Sequence, residues 1–158
     1  MKKELKNLDA TKQFAKDFLQ DVISDDKDRN VVLLQGNLGT GKTTFSQFLL
    51  EKIGAEGPFT SPTFVIMKKY ELENSMIFCS DQVATKKEIK NIYHLDCYRV
   101  NEESVFDLSW QEMTEDKNNL LLVEWPEKIK KIWPEKYWLL KFEYGDGESS
   151  RVVEIIKV

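Results

Sequence analysis

The hydrophobic pattern near the N-terminus has the period of a helix. Apolar side chains spaced three or four apart, including Phe14, Phe18 and Val22, fall on one face of such a helix. Asp9, which precedes them, is the predicted N-cap. The helix is expected to end before the charged stretch 24–28, which predicts a loop.

Three apolar runs predict the core strands of a sheet. Residues 31–34 and 120–123 are unbroken apolar runs, which are typical of strands buried on both faces. Residues 92–96 indicate another core strand, and this one ends in an acid. The first run leads through a glycine-rich turn into a helix-spaced pattern that stops near Gly54.

The middle of the chain carries weaker signals. We interpret 64–70 as a strand, 73–75 as a turn and 76–79 as a short second strand. The polar stretch 81–90 has no period that assigns it to an element.

The C-terminal third alternates between short helices and strands. Residues 101–114 predict a helix with few apolar positions, and 127–132 predict a short helix. Residues 137–144 and 151–158 alternate in polarity on either side of the turn-forming 145–147, which predicts a closing antiparallel hairpin.

The glycine-rich turn matches the phosphate-binding pattern G-x-x-x-x-G-K-[ST]. A chance match in a chain of this length is on the order of half a per cent, and the strand before and helix after are the context that the motif requires. Glycines let the backbone approach phosphate oxygens, and the N–H groups and the helix dipole attract the anion. The predicted nucleotide-binding residues of this P-loop are Gly36, Asn37, Leu38, Gly39, Thr40, Gly41, Lys42, Thr43 and Thr44.

The order of elements predicts an α/β fold. We expect a P-loop NTPase-like sandwich: a mixed sheet with a parallel core, flanking helices and the antiparallel C-terminal hairpin. The length is that of one domain, 1–158. Ligands of such sheets bind at the carboxyl ends of the strands. Gly36, Asp96 and Glu124 all follow apolar runs, so we expect them to share one site.

Each residue type in this site has a chemical role in phosphate transfer. Lys42 is expected to reach the β- and γ-phosphates, and the Thr43 hydroxyl is expected to bind Mg²⁺. Asp96 is predicted to orient the magnesium shell. Glu124 is predicted to complete that shell or to position the attacking water. For either acid, a helix cap or a surface ion pair is the alternative.

Thr63 is a candidate sensor of the nucleotide. It lies in the segment 60–64, between the P-loop helix and the next strand, where threonines of several nucleotide switches contact the γ-phosphate and the metal. The alternative is that Ser61-Pro62 simply starts a strand. His94 is the only histidine; it is interpreted as a packed strand residue, and a general base is the weaker alternative.

Composition bears on the partners and the cellular location that we expect for the protein. The net charge is −4, so a basic footprint for nucleic acid is absent at the level of composition. No run approaches the ~20 apolar residues that span a bilayer, and the N-terminus has no signal-peptide core. The two cysteines are too few for a disulfide framework, and no Cys/His cluster has zinc spacing. We expect a cytoplasmic location and no membrane association.

Four segments together resemble the TsaE (YjeE) family, small bacterial P-loop ATPases of tRNA threonylcarbamoyladenosine (t6A) synthesis. The segments are Gly-Asn-Leu-Gly-Thr-Gly-Lys-Thr-Thr-Phe at 36–45, Ser-Pro-Thr-Phe at 61–64, His-Leu-Asp-Cys-Tyr-Arg at 94–99 and Leu-Val-Glu-Trp-Pro-Glu at 122–127. The resemblance spans most of the chain. The segment 74–91 departs from it, because it is longer than the tight hairpin expected in the family.

The resemblance implies a function and a set of roles. Thr43 and Glu124 are implied Mg²⁺ ligands, Asp96 is the acid facing the metal shell, and Thr63 belongs to a nucleotide-sensing loop. Thr11, near the start of the first helix, is an implied nucleotide contact. The implied activity is slow ATP hydrolysis, with ATP and Mg²⁺ as cofactors, while the protein engages the TsaD–TsaB complex. That pair transfers a threonylcarbamoyl group to tRNA, so tRNA is met only indirectly.

Three other functions compete with this interpretation. A small-molecule or nucleotide kinase generally closes several arginines over its substrates, and this chain has only Arg29, Arg99 and Arg151. A GTPase switch is disfavoured because no Asn-Lys-x-Asp segment is present. A binding module that uses ATP only to set its shape shares every predicted site residue, so it stays open.

Overall fold

A computed structural model describes residues 1–25, 27–62, 65–80 and 83–158, and gives the backbone alone for 73–80 and 83–87. Its described strands form one seven-stranded sheet in the order β1-β7-β6-β2-β5-β4-β3. The strands are β1 Lys2–Leu5, β2 Val31–Gly36, β3 Met67–Ser80, β4 Val83–Asp96, β5 Asn119–Glu124, β6 Trp138–Tyr144 and β7 Arg151–Lys157.

The centre of the sheet is parallel and its outer pairs are antiparallel. β2 lies between β5 and β6 and is parallel to both, and β4 is parallel to β5. β7 is antiparallel to β6 and β1, and β3 is antiparallel to β4. The predicted α/β class, the parallel core and the closing antiparallel hairpin are therefore confirmed.

Four α-helices and a 3-10 helix connect the described strands. They are α1 Leu8–Ile23, α2 Lys42–Lys52, α3 Glu102–Phe106, α4 Trp110–Glu115 and the 3-10 helix Pro126–Ile132. Among the described residues, no helix has the length and apolar character needed to cross a membrane.

The alternation of side chains along β2 divides the core into two layers. Val32 and Leu34 pack with the apolar faces of α1 and α2, whereas Val31 and Leu33 pack on the other face of the sheet. Five aromatic rings pack against one another through the first layer, in tilted or edge-to-face pairs, namely Phe14, Phe18, Phe45, Phe142 and Trp138. This packing fixes α2, and the P-loop before it, against the end of the sheet.

The N-terminal prediction is wrong in one detail. The N-cap of α1 is Asn7, whose side-chain oxygen accepts a 2.9 Å hydrogen bond from the Ala10 N–H. Asp9 lies in the first helical turn, where an acid still interacts favourably with the helix dipole. β1, which precedes this helix, was not predicted, and it forms the edge of the sheet beside β7.

The middle segment is a long hairpin. The predicted turn at 73–75 is wrong, because the backbone of β3 stays extended through it and the register with β4 shifts between Glu71 and Met76. The predicted strand 64–70 begins at Met67, and its first residue, Phe64, lies outside the described residues. β4 pairs with β5 only from Asn91 onward, so the far part of the hairpin extends beyond the parallel core.

The single helix predicted over 101–114 is also wrong. The chain forms two short helices, α3 and α4, and Ser109 between them has a left-handed φ of 62°. That backbone conformation cannot continue a right-handed helix. The break lets both Val105 and Trp110 pack into the same core layer.

Candidate nucleotide site

The P-loop connects the end of β2 to the start of α2 at the carboxyl edge of the sheet. A Cβ on Gly36 would lie 2.4 Å from the backbone oxygen of Phe142 in β6, so only glycine fits beside that strand. Gly41, at the N-cap of α2, has a φ of 100°, a conformation open to glycine but strained for other residues. These two positions explain why the motif requires glycines where it has them.

The side chain of Lys42 folds back across the P-loop. Its Nζ donates to the carbonyl oxygens of Gly36 at 2.7 Å and Asn37 at 2.9 Å. The same ammonium lies 4.0 Å from the ring centroid of Trp125, which is a cation–π contact. Lys42 is buried, and burial lowers the pKa of its ammonium group, while Glu124 and nearby acids act in the opposite direction. The lysine is thus held at the loop where phosphate charge is expected.

Glu124 is the most enclosed acid of the site. It ends β5, and only 2% of its surface is exposed. Its Oε2 accepts a 2.7 Å hydrogen bond from the hydroxyl of Thr43, and its Oε1 lies 2.8 Å from Nε2 of His94. A buried carboxylate is stable only with such partners, and here both of its oxygens have one.

Asp96 ends β4 directly beside Glu124. The two acids are register partners in the parallel pair of β4 and β5. Asp96 is buried, and its Oδ1 accepts a 2.9 Å hydrogen bond from the backbone N–H of Tyr98. The Tyr98 ring packs on Trp125 with 4.9 Å between centroids. The two strand ends therefore present two acids and two aromatic rings at the mouth of the P-loop.

A cavity of about 420 Å³ opens between these strand ends and the P-loop. Its walls come from the P-loop, from the two acids, from Ser61 and from the 98–99 and 124–125 segments. Arg99 lines it, whereas Arg29 is buried in an ion pair with Asp25. Thr63 lies outside the described residues, so its role as a sensor stays a prediction.

The donors at this cavity suit Mg²⁺. The metal prefers hard oxygen ligands, usually one or two carboxylates completed by water and phosphate oxygens. Thr43 and Glu124 bring a hydroxyl and a carboxylate oxygen together, with Asp96 on the next strand. In the described part of the chain, no three His, Cys, Asp or Glu side chains cluster to hold a metal by themselves. The arrangement fits a metal ion that arrives with a nucleotide.

A second cavity of about 820 Å³ lies on the other side of the P-loop. Gly39, Gly41 and Thr44 line both cavities, so the P-loop borders each of them. Thr11 lines the larger cavity and donates a 3.2 Å hydrogen bond to the Asn7 carbonyl. Thr11, the predicted contact from the first helix, therefore lines the same cavity as Gly39, Gly41 and Thr44 of the P-loop.

Contacts from the C-terminal hairpin were not predicted. The Tyr144 hydroxyl donates a 2.5 Å hydrogen bond to the Leu38 carbonyl, and a guanidinium nitrogen of Arg151 lies 3.3 Å from the Gly39 carbonyl. Arg151 also stacks on the Tyr144 ring, 5.0 Å from its centroid. The alternating pattern of the hairpin predicted its strands, but no sequence signal paired them with the P-loop. Residues of the C-terminal hairpin thus hold the exposed tip of the P-loop at Leu38 through hydrogen bonds to its backbone carbonyls.

His94 contacts Glu124, which was not predicted when it was interpreted as a packed strand residue. The residue is indeed buried, at 1% exposure, but its ring faces Glu124. The signal was the spacing His-x-Asp on one strand, which puts both side chains on one face. Its partner on the neighbouring strand depends on the register, which the sequence does not reveal.

Comparison with known proteins matches one family. The model of the family described as "Threonylcarbamoyl adenosine biosynthesis protein TsaE" matches residues 5–153. Proteins named tRNA threonylcarbamoyladenosine biosynthesis protein TsaE are 30% identical in Haemophilus influenzae and 31% identical in Rickettsia felis. The first alignment covers 80% of this chain and 69% of the relative, and the second covers 96% and 77%.

A solved structure has the same fold. The crystal structure of YdiB from Bacillus subtilis superposes with a TM-score of 0.66 at 23% identity, and the match covers 100% of this chain and 84% of that one.

Proposed function

The chain belongs to the TsaE family, and on that basis we propose that it is an Mg²⁺-dependent ATPase of tRNA t6A biosynthesis. In this proposal it binds ATP at the P-loop and hydrolyses it slowly as an accessory protein of the TsaD–TsaB complex. It meets tRNA only through that complex. Residues 1–158 form one P-loop ATPase domain, which is consistent with all described strands belonging to one sheet.

One observation carries the proposal: the Thr43 hydroxyl and Oε2 of Glu124 meet at 2.7 Å beside the P-loop. The two groups come from α2 and β5, which are distant in sequence. Phosphate transfer in P-loop enzymes needs a hydroxyl from the loop and an acid from a neighbouring strand at one point. The contact brings that pair together, with the lysine of the loop 4.0 Å from the adjoining Trp125 ring.

The proposed roles follow from chemistry and position. The P-loop N–H groups and Lys42 bind the phosphates and offset their charge. Thr43 and Glu124 hold Mg²⁺, which when bound neutralises charge on the β- and γ-phosphates. Asp96, one of whose oxygens accepts a hydrogen bond from the Tyr98 N–H, would orient a water ligand of the Mg²⁺. Thr63 reports the presence of the γ-phosphate to the loop around it.

The nucleoside is assigned to the larger cavity. Thr11 and the start of α1 line it opposite Gly39, Gly41 and Thr44, so a nucleotide with its phosphates in the P-loop has space for its base and sugar there. Asn7 and Asp9 also line this space and offer hydrogen-bonding groups.

The distribution of arginines argues against a kinase. Of the three arginines in the chain, Arg29 is held by Asp25 and by the Val158 carbonyl. Arg151 contacts carbonyl groups of the hairpin and of Gly39. Only Arg99 lines the phosphate cavity, which leaves no cluster of arginines to clamp a second phosphate substrate.

A reconstituted t6A reaction tests the proposal. It contains TsaD, TsaB, tRNA and the threonylcarbamoyl donor, with this protein added or omitted and with either ATP or a non-hydrolysable analogue. We expect many turnovers of tRNA modification only with this protein and ATP. Equal turnover with the analogue would favour the binding module over the ATPase, and no effect of the protein would contradict the t6A role. Phosphorylation of an added small molecule would favour the kinase.

A further inference from the structure

We propose that His94 is a positioning residue for Glu124. Its Nε2–H holds Oε1 of the carboxylate, so that Oε2 alone faces Thr43 and the magnesium position. The inference rests on the proposed ATP hydrolysis at this site and assigns a role to a residue that is not itself expected to touch the nucleotide.

The sheet register brings the two side chains together. His94 pairs with Leu122, and Asp96 pairs with Glu124, in the parallel β4–β5 ladder. Residues two apart on a strand point to the same face, so His94 and Asp96 share the face onto which Glu124 projects. His94 lies two residues before Asp96 along β4, and its ring reaches the carboxylate of Glu124 from that neighbouring strand.

The two oxygens of the carboxylate have different partners. Oε1 is 2.8 Å from Nε2 of His94, and Oε2 is 2.7 Å from Oγ1 of Thr43. Both His94 and Glu124 are at most 2% exposed, so bulk water does not compete for Oε1. Rotation of the carboxylate about its last bond would break both contacts at once. The two contacts therefore fix the orientation of the carboxylate plane, with one oxygen directed at the P-loop.

The tautomer of the ring follows from its partner. An ionised carboxylate oxygen only accepts hydrogen bonds, so the proposed contact assigns the ring proton to Nε2. Nδ1 of His94 is buried and has no hydrogen-bond partner among the described residues. Such an orphaned nitrogen costs free energy, a cost that an apolar residue at this position would avoid. Within the described part of the chain, the ring thus has one polar contact, the one to Glu124, as expected of a residue whose role is to hold that acid.

Two matched substitutions separate positioning from simple space filling. In His94→Gln, the amide nitrogen lies near the original Nε2 position and keeps a donor for Oε1. In His94→Asn, the amide is equally polar, but its nitrogen lies near the original Nδ1 position and falls short of the carboxylate. His94→Leu keeps a side chain of similar bulk without any donor.

The kinetic test compares these variants in kcat, ATP KM and the Mg²⁺ concentration that gives half-maximal rate. Loss of a group that orients a metal ligand typically costs about 10–100-fold. We expect that loss in kcat and Mg²⁺ dependence for Asn and Leu, with ATP KM changed less than about threefold, and substantial recovery in Gln. Equal activity of Gln and Asn, whether both high or both low, would overturn the proposal. So would a loss that appears only in ATP KM.

The tautomer of the ring is measured on the unmutated protein, so that result does not depend on how the His94 variants fold. The chain has one histidine, so protein without a purification tag gives a single pair of imidazole ¹⁵N resonances. We expect the Nε2–H tautomer near neutral pH, with a slowly exchanging proton whose exchange accelerates in Glu124→Ala. The Nδ1–H tautomer, or unchanged exchange in Glu124→Ala, would overturn the contact.

The two proposals fail in different ways. If the wild-type protein binds ATP but does not hydrolyse it under any condition, the proposed ATPase function fails. The tautomer of His94 in the wild type, and the Mg²⁺ affinities of the His94→Gln and His94→Asn variants, would still decide the role of His94. If the wild type hydrolyses ATP and all three variants match it, only the inference about His94 fails.

Discussion

The hydroxyl of Thr43 and the carboxylate of Glu124 are joined by a 2.7 Å hydrogen bond. It connects the first turn of α2 to the end of β5, across 81 positions of sequence. The first helical turn carries the positive end of the helix dipole, so the negative charge of a carboxylate beside it is stabilised. Glu124 thus presents its carboxylate to Thr43, next to Lys42 at the start of α2.

Lys42→Ala should weaken ATP binding with little effect on the fold. A hydrogen bond to a charged group is worth about 1.5–3 kcal/mol, so affinity should fall roughly 10–150-fold. Titration calorimetry with ATP and Mg²⁺ measures it. Lys52→Ala, in the last turn of the same helix, is the matched control and should bind as the wild type does. Equal affinities of the two variants would contradict the assignment of Lys42.

Tyr144→Phe should loosen the P-loop without loosening the hairpin. The tyrosine is 56% exposed, and its hydroxyl donates to the Leu38 carbonyl at 2.5 Å. Loss of a neutral hydrogen bond costs about 0.5–1.5 kcal/mol, so ATP affinity should fall about 2–12-fold. The melting temperature should stay close to that of the wild type. Tyr137→Phe, just before β6, is the control, and a similar loss of affinity there would contradict this account.

Gly36→Ala should destabilise the protein more than Gly54→Ala. Both glycines have positive φ, but a Cβ on Gly36 would lie 2.4 Å from the Phe142 oxygen, whereas nothing lies within 4 Å of one on Gly54. The clash should add about 1–3 kcal/mol, the usual cost of overpacking. Urea unfolding of both variants measures the difference in free energy of unfolding. Equal losses would mean that β6 yields and that the close contact does not require glycine.

Cys97 should be unreactive in the folded protein. Burial, with added repulsion from Asp96 and the other nearby acids, raises the pKa of its thiol to about 12. The reactive thiolate is then roughly one part in ten thousand at pH 8, against about a quarter for an ordinary thiol. The raised pKa also means that the neutral thiol contributes stability in full below about pH 8.5, and that this contribution is lost as the pH rises towards 12.

Thiol labelling at pH 8 checks this prediction. The measurement uses Cys79→Ser protein, so that Cys97 is the only cysteine. We expect labelling only after unfolding in urea. A folded-state rate within tenfold of the unfolded-state rate would show that the thiol is accessible and ionised.

The P-loop and the two acids could be predicted because their signals are local. A strand, a glycine-rich turn and a helix lie in sequence around Gly36 and Lys42, and an apolar run before an acid marks Asp96 and Glu124. The rule that ligands bind at the carboxyl ends of parallel strands then brings these residues together. The α/β class followed from the same order of elements.

The rest of the site depends on pairings that the sequence does not encode locally. The contact between His94 and Glu124 requires the register of β4 against β5, and a shift of one residue would turn His94 to the opposite face. The contact of Tyr144 with Leu38 spans 106 positions. β1 was missed because three of its four residues are charged and only Leu5 is buried, so it has no apolar pattern. Its extended structure depends on its pairing with β7.

Two further errors concern the long hairpin and the helical segment that follows it. Residues 73–75 have turn-forming composition, yet the extended backbone of β3 continues through them beside β4. Ser109 takes a left-handed conformation that splits the predicted helix, and Val105 and Trp110 gain burial on either side. At Ser109, long-range packing overrides the local preference for one continuous helix.

Mg²⁺-dependent ATP hydrolysis by Glu124→Ala tests the central claim most directly. Phosphate release is measured for the protein alone and with TsaD and TsaB, beside Glu127→Ala as a control, since Glu127 is an exposed acid three positions further on. We predict slow release by the wild type, a rise when the pair is added, and loss of both in Glu124→Ala but not in Glu127→Ala. Full turnover in Glu124→Ala would contradict the assignment of this acid and the site built around it.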